Sequence, residues 1–252
     1  MKNNMGAITL IGMTDTDEIC GGFEAYNNLT EVIIHDGITE IGLEAFFGCS
    51  NLEKVSIAAS VKHIGQGAFA CCEKLSRIVV ADDNQEYDSR NGCNAIIHTA
   101  TNVLELGCKT TEVPVGVVAI GMGAFEDCRD LTQMILPEGV ESIGYYVFQR
   151  CHSLGKVELP DSLEKIECSA FRQCCSLTEI TIPKAVARIE ACAFEGCRHL
   201  SVVTILGENV EIDNNTFSNC DKLAKISVPP GTVDYYRKKI SEHADKVVAL
   251  QN

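Results

Sequence analysis

The chain contains no tryptophan, and aromatic residues make up only 6% of its 252 positions. Prolines number six. No stretch approaches the roughly 20 apolar residues needed to span a bilayer. Basic residues are in deficit: 21 Lys and Arg stand against 35 Asp and Glu, for a net charge of −14. That balance argues against nucleic acid and against anionic membrane surfaces, since both are bound by clustered Lys and Arg. It is compatible with simple solubility or with a basic partner. No glycine-rich phosphate loop is present, and no interleaving of aromatic and basic residues of the kind that grips single strands. No C-x-x-C pair occurs, although zinc sites commonly use one. The six histidines (His35, His63, His98, His152, His199 and His243) share no repeat position, and none recurs beside a nucleophile and an acid. The sequence therefore predicts no cofactor and no catalytic site.

What the chain does have is a period. Phe46, Phe69, Phe125, Phe148, Phe171, Phe194 and Phe217 are each followed three residues later by cysteine: Cys49, Cys72, Cys128, Cys151, Cys174, Cys197 and Cys220. All but one of the steps between successive Phe residues are 23 residues long. A fixed spacing in this range is the mark of a solenoid, in which each unit covers the apolar side of its neighbours. Half of the 14 cysteines thus occupy one column, and they read as small buried thiols rather than a disulfide framework. Side chains of one column point the same way, which disfavours the geometry a disulfide needs. Cys71 and Cys72 form a doublet, and Cys168, Cys174, Cys175, Cys192 and Cys197, from two adjacent repeats, form the densest candidate metal cluster. Two of them belong to the buried ladder, and packing is the preferred reading.

The unit reads V-x-x-I-G-x-x-A-F-x-x-C-x-x-L-x-x-I-x-I-P. A leucine column runs through Leu52, Leu75, Leu131, Leu154, Leu177, Leu200 and Leu223. After it come alternating apolar pairs, Val55/Ile57, Ile78/Val80, Met134/Leu136, Val157/Leu159, Ile180/Ile182, Val203/Ile205 and Ile226/Val228. Alternation of this kind predicts a strand with its apolar side buried. Pro137, Pro160, Pro183 and Pro229 end the strand where no ladder donor is needed. The segment G-x-x-A-F-x-x-C is too short for an ordinary helix. One helical or 3₁₀ turn would place Phe and Cys on one face. Its glycine column (Gly42, Gly65, Gly121, Gly144) continues as Glu167, Glu190 and Asp213. Acids there argue against an obligate left-handed residue and for a tight exposed corner.

Residues 1–37 read as a degenerate N-terminal cap repeat, with Phe23, Leu29, Val32 and Ile34 in register and Tyr26 in place of Cys. Two 23-residue repeats fill 38–80, and five more fill 117–231. Between them, 81–116 is an irregular unit. There Asn94–His98 and Asn102–Leu106 predict a β-hairpin joined by Thr99–Thr101. Residues 232–252 read as a C-terminal cap, with Thr232 capping a short helix and Val247, Val248 and Leu250 adding a strand. The start, MKNNMGAITLIGM, lacks a clear basic segment and cleavage site, so no signal peptide is expected.

The repeated I-G-x-x-A-F-x-x-C-x-x-L-x-x-I-x-I-P unit resembles the BspA-type leucine-rich repeat. Y-D-S-R-x-x-C-N-A-I-I is similar to the hairpin-containing unit of such arrays, and V-P-x-G-T-V-D-Y-Y to their C-terminal cap. The resemblance covers roughly residues 19–250. It implies an α/β-type repeat solenoid, a right-handed leucine-rich-repeat superhelix with mostly parallel strands. It also implies a largely bacterial family, often exported or surface-attached, some of whose members bind host or bacterial proteins. A cell-surface or secreted location follows from the resemblance. The missing signal peptide keeps a cytoplasmic one open.

Between the buried strand positions, alternate residues point outward: Glu31/Ile33, Lys54/Ser56, Arg77/Val79, Gln133/Ile135, Lys156/Glu158, Glu179/Thr181, Val202/Thr204 and Lys225/Ser227. They predict two columns on the sheet face. The core columns barely change along the array, whereas these positions mix charge, hydroxyl and apolar groups. Such a face suits recognition of a protein ligand, and its exposed apolar groups point the same way. A solvated, purely structural spacer is the alternative. An enzyme is the least favoured reading.

Overall fold

In the computed structural model, residues 7–10, 18–19, 23 and 26–251 are described. Two of the sequence readings fall largely or partly outside them: the one on the first 13 residues, and the front of the N-terminal cap repeat. The chain winds as a solenoid of stacked units. Each regular unit contributes one longer strand, one two-residue strand and one tight turn. Longer strands such as Lys54–Ile57, Arg77–Val80, Glu179–Ile182 and Val202–Ile205 pair in parallel with a register of 23 residues. The short strands, among them Ser142–Ile143, Lys165–Ile166 and Arg188–Ile189, do the same on a second side. The only α-helix among the described residues is Val233–Lys239 at the C-terminal end.

The core is the set of columns expected from the spacing. All seven ladder cysteines and all seven column leucines are buried. The phenylalanine rings stack face to face in two runs. Phe23, Phe46 and Phe69 have centroids 5.2 and 5.0 Å apart. From Phe125 to Phe217 the steps are 5.3, 5.1, 5.1 and 5.5 Å. These distances slightly exceed the spacing of adjacent strands, which fixes the rise from unit to unit. Val157 and Leu159 depart from the expected pattern and are only half-buried. Their strand, Lys156–Glu158, pairs with Gln133–Ile135 but is not joined in one sheet to Glu179–Ile182. The unpaired side opens to solvent.

The segment G-x-x-A-F-x-x-C is not a helical turn. It is a run of tight turns carrying two left-handed positions per unit. One precedes the alanine: Glu44, Gly67, Gly123, Tyr146, Ser169, Cys192 and Asn215. The other precedes the cysteine: Gly48, Cys71, Asp127, Arg150, Gln173, Gly196 and Asn219. Their φ values lie between 52° and 74°. This geometry turns alternate N–H groups out of the unit. Within the turn, Ala45 N–H donates to Gly42 O, Phe47 N–H to Glu44 O and Cys49 N–H to Phe46 O. The intervening groups donate to the next unit, Glu44 N–H to Gln66 O, Phe46 N–H to Ala68 O and Gly48 N–H to Ala70 O. The same three bonds recur at each regular junction from Gly121 to Asp213. A helix would spend those donors inside itself and leave the stack unjoined.

The glycine column is tight, as expected, and it is not left-handed. It is however not an exposed corner. Gly42 is buried, and Gly65, Gly121 and Gly144 are half-buried. A Cβ on Gly65 would lie 2.4 Å from the Leu43 nitrogen of the adjacent unit. The backbone bond is the same whichever residue stands there: Gly144, Glu167 and Glu190 donate to Ile120, Ile143 and Ile166 O, each at 2.9 Å. Where acids replace glycine, cations of the same or the preceding unit hold them. Lys165 Nζ lies 2.8 Å from Glu167 and 3.0 Å from Glu190, and Arg188 lies 2.7 Å from Asp213.

At the C-terminal end the helix covers the last repeats through buried Tyr236. Its hydroxyl donates to Gly207 O and accepts from Val210 N–H. Thr232 precedes this helix, but its side chain does not cap it. Its hydroxyl donates to Pro229 O instead. The closing strand is Val247–Ala249, and Leu250 follows it.

Two substitutions test this packing. Phe171→Ala should cost about 3–5 kcal/mol, measured by chemical unfolding, because the ring is fully buried in the stack. A near-neutral result would contradict the column. Gln173→Gly should raise stability, by about 0.5–1 kcal/mol, because exposed Gln173 holds φ 60° and glycine removes that strain. The adjacent Arg172→Gly should lower it.

Candidate functional site: the strand face and its two breaks

The outward strand positions form the two expected columns. Glu31, Lys54 and Arg77 stand opposite one another in register, as do Ile33, Ser56 and Val79. Further along, Gln133 faces Lys156 and Ile135 faces Glu158. Glu179, Val202 and Lys225 make a third group, beside Thr181, Thr204 and Ser227. Arg77, Val79, Gln133, Ile135, Lys156, Glu158, Glu179, Thr181 and Lys225 are exposed, while Lys54, Ser56, Val202 and Thr204 are half-buried. Ile135 has 52% of its surface exposed and Val79 has 39%, large values for apolar side chains. Ser227 does not belong to the accessible face. It is buried, because its small side chain lies between Thr204 and Val248, which the closing strand brings alongside.

The columns are broken in two places, and a depression marks each break. Between strands Lys156–Glu158 and Glu179–Ile182 the ladder parts, leaving a crevice of about 530 Å³. Lys156, Glu158, Glu179, Thr181, Val202 and Thr204 all line it. The periodicity gave no warning of this gap, since both flanking units keep the 23-residue spacing. Lys156 and Glu158 pair across 2.5 Å. The second break lies where the irregular unit follows Arg77–Val80. There Arg77, Val79, Asp82, Ser89 and Asn94 surround about 490 Å³.

The irregular unit holds the expected hairpin. Strands Ile96–His98 and Val103–Leu106 pair antiparallel, and Tyr87–Asp88 adds a third strand. Arg90 clamps the hairpin base, with bonds to Asp88 and to Asn102 Oδ1.

Three of the histidines make structural contacts. His199 and His243 bond to the carbonyl oxygens of Cys175 and Phe217, and the His98 ring packs edge-on against Tyr87. Six of the seven ladder thiols share one kind of partner. Cys49, Cys72, Cys151, Cys174, Cys197 and Cys220 donate to the carbonyl of the Phe 26 residues earlier, at 3.0–3.5 Å. Burial, and then the neighbouring thiols, push Cys174 and Cys197 well above the usual thiol range. Cys128 and Cys220 are pushed up to about 12, chiefly by burial. No disulfide occurs among the described cysteines.

Among the described residues, one group has metal-ligand spacing: Cys71, Glu126 and Asp127. A protein cation already sits there. Arg150 lies 2.5 Å from Asp127, 3.2 Å from Glu126 and 3.6 Å from Cys71 Sγ. Burial raises the Cys71 thiol to about 12, and the Asp127 hydrogen bond and the Glu126 charge add to this. A protonated thiol beside an occupied carboxylate pair is a poor metal ligand.

The fold and its columns define a leucine-rich-repeat solenoid. The model of the BspA type leucine rich repeat region matches residues 20–98 and 107–242 in six copies, and the chain belongs to that family. It is similar to a leucine rich cell surface protein from Faecalibacterium prausnitzii A2-165, with 29% identity and a TM-score of 0.79. That alignment covers 91% of this chain and 61% of the other, so this chain spans under two thirds of that relative. The pneumococcal vaccine antigen PcpA shares the fold at 20% identity and a TM-score of 0.70, covering 89% of this chain and 68% of that one. A leucine-rich repeat protein from Bacteroides ovatus does so at 22% and 0.57, covering 90% and 64%. No curated protein sequence matches the chain. No helix among the described residues is long and apolar enough to cross a membrane.

Thiol mapping checks the ladder. In the native protein at pH 8, Cys174 and Cys197 should resist alkylation and react only on unfolding, whereas half-buried Cys175 and Cys168 react first. Equal native labelling of Cys174 and Cys175 by mass spectrometry would contradict the buried column.

Proposed function

We propose that the chain is a non-enzymatic protein-interaction module that binds a protein ligand through its strand face. The observation that carries this reading is the crevice between Lys156–Glu158 and Glu179–Ile182. It is lined by six of the outward residues and lies between core columns that stay constant. A cavity of about 530 Å³ that mixes charged, hydroxyl and apolar groups offers both anchoring and orientation. The exposed apolar side chains of Val79 and Ile135 extend the contact area along the array. Family membership supports the reading, because such solenoids present long faces rather than a central pocket. The cell-surface description of the Faecalibacterium relative supports a surface location, where binding a protein ligand would serve adhesion. The net charge of −14 favours a partner with basic groups at the contact.

A scaffold role is the second reading, favoured by the ion pairs that tie up part of the face, Lys54 with Glu31 at 2.6 Å and Lys156 with Glu158. Binding of the purified chain to arrayed host extracellular and bacterial surface proteins separates the two. For any partner found, Lys156→Ala with Glu158→Ala should weaken affinity at least about tenfold, equivalent to about 1.4 kcal/mol. Unchanged affinity would remove the crevice from the interface.

A further inference from the structure

At each regular junction, three N–H groups of one turn donate to three carbonyls of the next. The irregular unit breaks that rule in the middle of the array. Its chain cuts straight from Val103–Leu106 through Gly107 to Cys108, in place of the eight-residue turn. Only Gly107 N–H reaches forward, donating to Ala124 O at 2.8 Å. Gly107 also stands where any side chain would strike the Phe125 ring: a Cβ there would lie 2.2 Å from the nearest ring carbon.

The shortcut leaves a notch of about 380 Å³ between the turn 65–72 and the turn 121–128. Ile64, Phe69, Ile96, Val103 and Leu106 give it an apolar floor, and Glu105 lies at its side. On one wall, the N–H groups of Gly67, Phe69 and Cys71 have no acceptor among the described residues, although their counterparts at regular junctions all do. Phe69 is only 3% exposed, so its N–H is a buried donor. On the opposite wall, the carbonyls of Met122 and Glu126 have no donor among the described residues, while Ala124 O is taken by Gly107. At the rim Gln66 Nε2 meets Met122 Sδ across the notch, and its outer end is closed by Arg129, which pairs with Glu73 at 3.1 Å, and by Arg150 of the following turn, which reaches Cys71. The same donor row is open at Asn215, Phe217 and Asn219, but there the C-terminal segment Lys239–His243 lies alongside in place of another turn.

We propose that this notch is a binding site for a short polypeptide segment of a partner protein, which would take the place of the missing turn. Donors on one wall, acceptors on the other and an apolar floor are the complement of a main chain carrying small apolar side chains. A lone apolar molecule would leave both rows unpaired, and an anion would meet the open carbonyls and Glu105. This is strand addition applied to a solenoid turn. The proposal does not depend on the strand face, which lies on another side of each unit.

The probe is an acetylated, amidated octapeptide copying residues 42–49, one regular turn of this chain. Titration followed by amide NMR should show saturable binding, with exchange at Gly67, Phe69 and Cys71 slowed at least about tenfold. Met122→Trp and, separately, Gln66→Trp place bulk on the exposed rim of opposite walls, and either should abolish binding. The Lys156→Ala, Glu158→Ala chain should bind the peptide normally. No binding at millimolar peptide overturns the proposal. So does binding that leaves these three amides unprotected, or that protects Asn215, Phe217 and Asn219 instead.

Discussion

The turns of this solenoid are joined by their own backbone. At each regular junction, alternate N–H groups close the turn and the others reach the carbonyls of the next, Phe148 to Ala170, Phe171 to Ala193, Phe194 to Thr216. This is a parallel ladder drawn through a bend. It sets the rise per unit, and the rise sets the rest. Phenylalanine rings must stack near 5 Å, and each cysteine that follows a regular unit must sit under that unit's phenylalanine carbonyl. Cysteine suits that place because it fills a small buried volume and still offers a weak donor. The ladder also demands two left-handed residues per turn, a strain of about 1 kcal/mol or more wherever glycine is absent. The bonds that strain permits repay it in every regular unit.

The core was legible in the sequence because its constraint acts on side chains. Phe171, Cys174 and Leu177 recur because nothing else fits, and their spacing alone places them inside. The left-handed positions were not legible. Tyr146, Ser169, Cys192 and Asn215 share a conformation but no chemistry, since their side chains leave the stack and only the backbone is constrained. A 3-residue spacing between Phe and Cys therefore suggested a helical turn where the backbone makes two bends. Gly65 and Glu167 misled in a different way, because both make the same backbone bond at that corner although the approach at Gly65 is too close for any Cβ.

Much of the candidate site was also readable, since outward positions follow from strand alternation. Its breaks were not. Lys156–Glu158 and Glu179–Ile182 part without any change of spacing. Ser227 left the accessible face because the closing strand, 20 residues further on, brings Val248 beside it. The hairpin was predicted from its alternation, but the consequence of its shortcut was not. That consequence is two unpaired rows of backbone groups facing each other, and it appears only when each turn's hydrogen bonds are followed to the next. The functional reading thus rests on places where the repeat fails, namely the crevice, the hairpin edge and the notch.

The central claim is that each unit is an interchangeable layer and that the irregular unit lacks one turn of the ladder. Deleting residues 81–113 tests this most directly. It joins Val80 to Pro114, in the pattern of Leu136 and Pro137, and restores the 23-residue step between Phe69 and Phe125. The shortened chain should unfold in one cooperative transition, at a midpoint no lower than the parent's, with the amides of Gly67, Phe69 and Cys71 newly protected from exchange. A chain that fails to fold, or that folds with those amides still exchanging freely, would contradict the account.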